Sequence, residues 1–182
     1  MAVTLPDVAK DLRLIMTAVS RDTHGLDALP LAVDLDGTLH RGDVSWWSLR
    51  AALWRNPWRV ARALCRPRAA AKEDLASQVI RHFDAYDLKW NTEFESWLDQ
   101  QGALDRPIVL ASGSDHAFVR RVAAEFDDFT ELFASDGTHN RVGEAKAECL
   151  RRRFPNGFGY AGNSQQDWPV GQAGRGAILV NC

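Results

Sequence analysis

Two hydrophobic periods divide the chain. Short continuous apolar runs read as buried strands: Leu31-Ala32-Val33, "PIVLAS" (107–112), "TELFAS" (130–135), "FGYAG" (158–162) and "GAILVN" (176–181). Between the later runs, apolar residues recur at helical spacing, as in Phe118, Val119, Val122, Ala123 and Phe126. Further helices are expected from about Gly143 to Phe154 and, briefly, over 165–173. From residue 105 onward strand and helix alternate. That alternation predicts a Rossmann-like α/β fold: a three-layer sandwich with a parallel central sheet that also takes in the strand ending at Asp34.

Residues 37 to 106 follow a different pattern. Asp43 is a candidate cap for a helix over Val44 to Trp54, and Asn56-Pro57 reads as a second cap followed by an N1 proline. That second helix should end near Arg66-Pro67, and a third should carry Ala71, Leu75, Val79 and Phe83 on one face. A helix near 92–102 is assigned to the core. The expected organisation is a core of residues 1–43 and 91–182 carrying a helical cap insert, 44–90. Val44, Trp47, Ala51 and Trp54 have the spacing of the cap's inner stripe.

Charge sharpens this division. The 182 residues carry a net charge of −2, yet residues 50–72 hold Arg50, Arg55, Arg59, Arg62, Arg66, Arg68 and Lys72 and no acid. That segment is +7 and the remainder therefore −9. With Trp46, Trp47, Trp54 and Trp58 alongside, it reads either as a solvated cap face or as a surface for anionic lipid or a membrane partner. Nucleic acid ranks below these, because the rest of the chain is acidic. No apolar run approaches the roughly 18 residues of a membrane span, and "MAVTLPDVAKDLRL" does not read as a signal peptide. Cys65, Cys149 and Cys182 are odd in number and far apart, which fits a reducing, cytoplasmic setting, at the inner face of a membrane if the Trp/Arg surface engages lipid.

The candidate chemistry lies at the strand ends, where ligands of parallel α/β sheets bind. Asp34 and Asp36 fall on one face of the chain as it leaves the first strand, and two such close acids call for a cation or a proton. Gly37 and Thr38 supply a tight turn. Ser112-Gly113-Ser114-Asp115 stands at the start of a helix, where free amides favour an anion. Lys146 falls in the first turn of a later helix, and "GNSQQD" (162–167) follows another strand. Acids, hydroxyls with free amides, and a lysine on one sheet edge suit a metal and a phosphate. Taken alone, Ser114 reads as a helix cap and His40 as an exposed loop residue; His116 and His139 receive no role.

Four ordered pieces, "DLDGT" (34–38), "VLASGS" with Ser112, "GEAKA" with Lys146, and "GNSQQD", resemble the haloacid dehalogenase-like (HAD) hydrolase superfamily. The resemblance implies a Mg²⁺-dependent phosphatase acting on a small phosphate monoester. Asp34 would be the nucleophile that forms an aspartyl-phosphate, and Asp36 the general acid/base. Ser112 and Lys146 would bind and neutralise the phosphoryl group, with Gly37, Thr38, Gly113 and Ser114 contacting substrate. Asp34, Asp36, Asn163 and Asp167 would hold Mg²⁺. Asn163 departs from the family pattern, which has Asp there, and should weaken metal binding. "PLAVDLDGTL", "ASDGTHN", "YAGNSQQDWPV" and the Trp/Arg-rich insert look more narrowly like the soluble HAD-like domain that precedes UbiA-type membrane prenyltransferases. The alternative is thus a non-catalytic or weakly active module docking on a membrane prenyltransferase.

Overall fold

The computed structural model describes residues 16–20, 28–163 and 167–180, the first of these as backbone alone. The expectations for the N-terminal stretch, for Ser164-Gln165-Gln166 and for Cys182 lie outside the described residues.

The elements are β1 (Met16–Ser20), β2 (Leu31–Val33), α1 (Val44–Arg55), α2 (Pro57–Leu64), α3 (Arg68–Val79), α4 (Thr92–Gly102), β3 (Ile108–Asp115), α5 (His116–Ala123), β4 (Phe129–Ser135), α6 (Glu144–Arg153), β5 (Gly159–Gly162), α7 (Trp168–Ala173) and β6 (Gly176–Val180). The sheet order is β1-β6-β5-β2-β3-β4. Strands β2 to β6 pair in parallel, with β2 central between β3 and β5. Every residue of β2 is buried, as expected of a strand covered on both faces.

One edge adds a strand that the expectation of a parallel central sheet did not include. β1 joins antiparallel to β6, in the register Met16↔Val180. An antiparallel edge needs no crossover helix, so the strand–helix alternation that reveals the other strands leaves no trace of it.

Among the described residues, 44–90 form three α-helices and two short 3-10 turns and contribute no strand to the sheet. The first two α-helices start at side-chain caps. Asp43 Oδ1 accepts the Trp46 amide at 2.9 Å, and Asn56 Oδ1 accepts the Arg59 amide at 3.1 Å. Pro57 occupies the first turn of α2. Val44, Ala52, Leu75 and Val79 share one continuous hydrophobic cluster with Leu31, Leu110 and Phe118 of the sheet and α5. Trp47 sits edge-on to Phe83 and Phe118, with ring centroids 5.2 and 6.0 Å away. Trp54 leaves the expected inner stripe: it is 86% exposed. Two turns further along α1 from Trp47, it lies at the last turn of the helix, next to the Asn56 elbow.

Candidate functional site

The carboxyl ends of β2, β3 and β5, with the start of α6, converge on a cleft of about 410 Å³. Its lining includes Asp34, Asp36, Gly113, Lys146, Asn163 and Asp167, together with Lys72 from α3. A second cavity of about 380 Å³, under α7, adjoins Asp167 from the other side but contains neither Asp34 nor Asp36.

Asp34 follows β2 directly, its amide donating to the Ala161 carbonyl of β5 at 2.8 Å. It is nearly buried, and so is Lys146 in the first turn of α6. Lys146 Nζ donates to Asp34 Oδ1 and Asp167 Oδ1, both at 2.8 Å, and to the Tyr160 hydroxyl at 3.1 Å. One ammonium thus ties β2, β5 and the segment after β5 together. Burial lifts Asp34 to about 7, against the pull of Lys146 and with the help of Asp167 and Asp36. Burial opposes the charged form of Lys146, but its two carboxylates outweigh it and raise the ammonium above its ordinary value. Burial and the same two acids push Tyr160 well up, so its hydroxyl stays protonated. The second oxygen of Asp34, Oδ2, accepts no hydrogen bond among the described residues.

Asp36 faces the helical insert. Its Oδ1 accepts the Val44 amide at 2.7 Å, the first turn of α1. Its Oδ2 accepts the Ser114 hydroxyl at 2.6 Å and, more distantly, that of Ser112 at 3.4 Å. Burial raises Asp36, and the Ser114 and Val44 donors hold it down. The Ser112 hydroxyl also receives the Ser114 amide at 3.0 Å.

The ten candidate residues separate by position. Asp34, Asp36, Gly37, Gly113, Lys146, Asn163 and Asp167 line the cleft. Ser112 lies fully buried behind Asp36. Ser114 is not a helix cap. Strand β3 runs on to Asp115, whose side chain accepts the Ala117 amide at 2.9 Å, and this frees Ser114 to hold Asp36. Thr38 is fully buried and outside the cleft lining; its main chain forms the turn, donating to Leu35 and accepting from Asn91. His40 is buried rather than exposed, with Nδ1 against the Lys89 carbonyl at 3.1 Å.

Two residues that act on the site escape the sequence reading. Tyr160 braces Lys146. Lys72 Nζ donates to the Gly113 carbonyl at 2.6 Å and to Asn140 Oδ1 at 2.8 Å, bringing a cation from α3 to the sheet edge. Burial lowers Lys72, with Asp36 and Asp43 opposing. A signal for it existed: Lys72 shares the spacing of Leu75, Ala76 and Val79, so a charge lay on an apolar stripe.

The oxygen donors here fit a small hard cation. Asp34 contributes a carboxylate, and the Asp36 carbonyl accepts no backbone hydrogen bond among the described residues. Asn163 packs onto the Gly37 turn, where φ is +78° and an added Cβ would fall 1.9 Å from the Asn163 amide nitrogen. Among the described residues no group of three or more His, Cys, Asp or Glu is arranged to hold a metal. A cation here would therefore depend on Asn163 and a main-chain carbonyl beside the two acids.

No family model matches the chain. It is 30% identical over 155 residues to the uncharacterized protein y4nM of Sinorhizobium fredii, an alignment that takes in 84% of this chain and 30% of that protein. The chain thus spans under a third of the length of that curated relative. Among solved structures it is similar to a protein of unknown function from Bordetella pertussis Tohama I (TM-score 0.62, 15% identity, 81% of this chain and 88% of that one). A predicted phosphoglycolate phosphatase from Haemophilus somnus gives TM-score 0.56, 14% identity and coverages of 81% and 82%. A substrate-bound phosphoserine phosphatase gives 0.54, 13%, and coverages of 81% and 83%. The fold is therefore the Rossmann-like α/β sandwich that HAD-superfamily hydrolases share. Among the described residues no helix is long and apolar enough to cross a membrane.

Proposed function

We propose that the chain is a HAD-type phosphatase that hydrolyses a phosphate monoester through an aspartyl-phosphate on Asp34. The observation that carries this reading is the division of labour on one carboxylate. Asp34 lines the cleft; Lys146 holds its Oδ1, while its Oδ2 accepts no hydrogen bond among the described residues. A nucleophile oriented by one oxygen and free at the other is what in-line attack on phosphorus requires.

Oδ2 of Asp34 attacks phosphorus, the bond from phosphorus to the ester oxygen breaks, and that oxygen takes a proton from Asp36. Burial favours the protonated form of Asp36, and the transfer requires its carboxyl to turn from Ser114 toward the cleft. Asp36, now a carboxylate, then draws a proton from water. The water oxygen attacks phosphorus, releasing phosphate and restoring Asp34. Lys146 and Lys72 offset the charge of the phosphoryl group, and the Gly113 segment supplies the main-chain surface against which it rests. Mg²⁺, held by Asp34, the Asp36 carbonyl, Asn163 and Asp167, would supply further positive charge for the phosphoryl oxygens.

The helices at 44–79 act in this reading as the cap over the core's site. Between α1, α3 and α5 a cavity of about 300 Å³ shares Asp43, Ser45 and Lys72 with the catalytic cleft; its further lining is largely apolar, including Trp46, Leu49, Leu75 and Phe118, with Ser48, Arg68 and Asp115 as polar groups. A leaving group with an apolar body fits it.

A panel of phosphate esters assayed with and without Mg²⁺ tests the proposal. Wild type should release phosphate and Asp34→Asn none, with an unchanged circular-dichroism spectrum. Equal rates for the two proteins would reject Asp34 as nucleophile. Asn163, neutral where the family has an acid, favours a second reading: a weakly active or non-catalytic module that docks on a membrane prenyltransferase. No turnover of any ester by well-folded wild type supports that one.

A further inference from the structure

We infer that the α1–α2 elbow and the arginine-lined pocket beside it form a docking surface for an anionic lipid bilayer. Seven consecutive residues, Leu53-Trp54-Arg55-Asn56-Pro57-Trp58-Arg59, are exposed. Trp54 and Trp58 stand 86% and 84% exposed at the two sides of the turn, with Leu53 and Leu64 exposed nearby. Isolated exposed apolar residues are ordinary; a cluster of large ones rimmed by charge marks a contact surface.

The chemistry of the rim selects the partner. No acid occurs between Asp43 and Glu73, and Arg50, Arg59 and Arg62 make no ion pair among the described residues. A cavity of about 270 Å³ between α2 and α3 is lined by Arg59, Arg62, Arg66, Ser77 and Gln78, with Asp74 paired to Arg66. Three guanidinium groups against one carboxylate leave this pocket a net cation, suited to a lipid phosphate. Tryptophan beside it suits the boundary between headgroups and acyl chains. The elbow is also fixed before contact. Asn56 caps α2 through the Arg59 amide, and its own amide closes α1 on the Ala52 carbonyl at 2.8 Å. Little ordering entropy then opposes insertion. This surface belongs to the helices, away from the aspartates, and stands whether or not the chain hydrolyses phosphate esters.

Co-sedimentation of the whole chain with vesicles tests the inference. Vesicles of phosphatidylcholine with phosphatidylglycerol should bind at least about tenfold more tightly than phosphatidylcholine alone, and high salt should erase the difference. Trp54→Ala with Trp58→Ala should weaken anionic-vesicle binding by about tenfold. Arg59→Gln with Arg62→Gln should weaken it by about fivefold for each arginine. Circular dichroism and any hydrolysis of a soluble ester should be unchanged in both variants. Equal binding to the two vesicle types, no binding to either, or a wild-type affinity in the tryptophan variant would overturn the inference. So would a single-stranded oligonucleotide that binds more tightly than anionic vesicles and loses that binding with the arginines.

Discussion

The cleft and the elbow use charge in opposite ways. In the cleft, Lys146 is buried and joined to two acids and a phenol, so its charge is consumed in positioning neighbours. At the elbow, exposed arginines stand beside exposed tryptophans, and most make no ion pair among the described residues. A buried ion pair contributes little net stability, but losing one member is costly, because the others stay buried. An exposed charge contributes little to the fold either way, so its placement is free to follow a partner. The two regions should accordingly differ in how stability responds to mutation.

The hardest blow to the cleft is Lys146→Met. It leaves Asp34 and Asp167 buried without their cation and should lower unfolding free energy by about 3–5 kcal/mol, measured by urea titration. A loss below about 1 kcal/mol would mean that water already reaches these acids.

The next test is pH. Burial lifts Asp34 from 3.8 to about 7, so the folded chain keeps a proton there that the unfolded chain has released. The stability tied to that proton is fully present below 3.8 and is lost as pH rises to about 7, with a slope of at most about 1.4 kcal/mol per unit. In metal-free buffer, Asp34→Asn should remove this fall, narrowing the difference in urea midpoint between mildly acidic and neutral solution. A parallel pH profile in wild type and variant would contradict the assigned burial.

A smaller change is expected from Asn163→Asp, which adds a charge beside Asp34 at nearly constant volume. Calorimetric titration should show Mg²⁺ binding tightened by about 1–2 kcal/mol, while stability without metal declines. An unchanged Mg²⁺ isotherm would remove Asn163 from the donor set. The smallest effect belongs to the elbow: Trp54→Ala and Trp58→Ala should each shift stability by no more than about 0.5 kcal/mol. A larger loss would make those rings part of the core after all.

Much of this was legible in the sequence for a common reason: the signals were local. The apolar run before Asp34 could only be a buried strand, Asp43 and Asn56 announce their helices, and Lys146 lies one turn into its own. What stayed hidden depends on distant partners. β1 is specified by pairing with β6 at the far end of the chain, and five residues of ordinary composition carry no mark of it. Ser114 looked like a cap because the extension of β3 to Asp115 depends on pairing with Ser135 of β4. Trp54 fits the helical stripe that packs Trp47 against the core, but periodicity does not say where the packed surface stops. Lys72 reaches the cleft, and Tyr160 reaches Lys146, only once α3 and β5 are folded into place.

The contact between Gly37 and Asn163 has an evolutionary consequence. A methyl group at position 37 would have to occupy the space of the Asn163 side chain, and the backbone there has φ of +78°. The two positions therefore do not drift independently. An acid can replace the amide at 163 without disturbing the turn, since shape is preserved. Any larger residue at 37 must be preceded by a smaller one at 163 and must also tolerate the left-handed backbone. Among relatives of this chain the glycine should outlast changes in charge at its neighbour, so that descendants can lose or regain an acidic ligand while the loop that would receive the metal keeps its form.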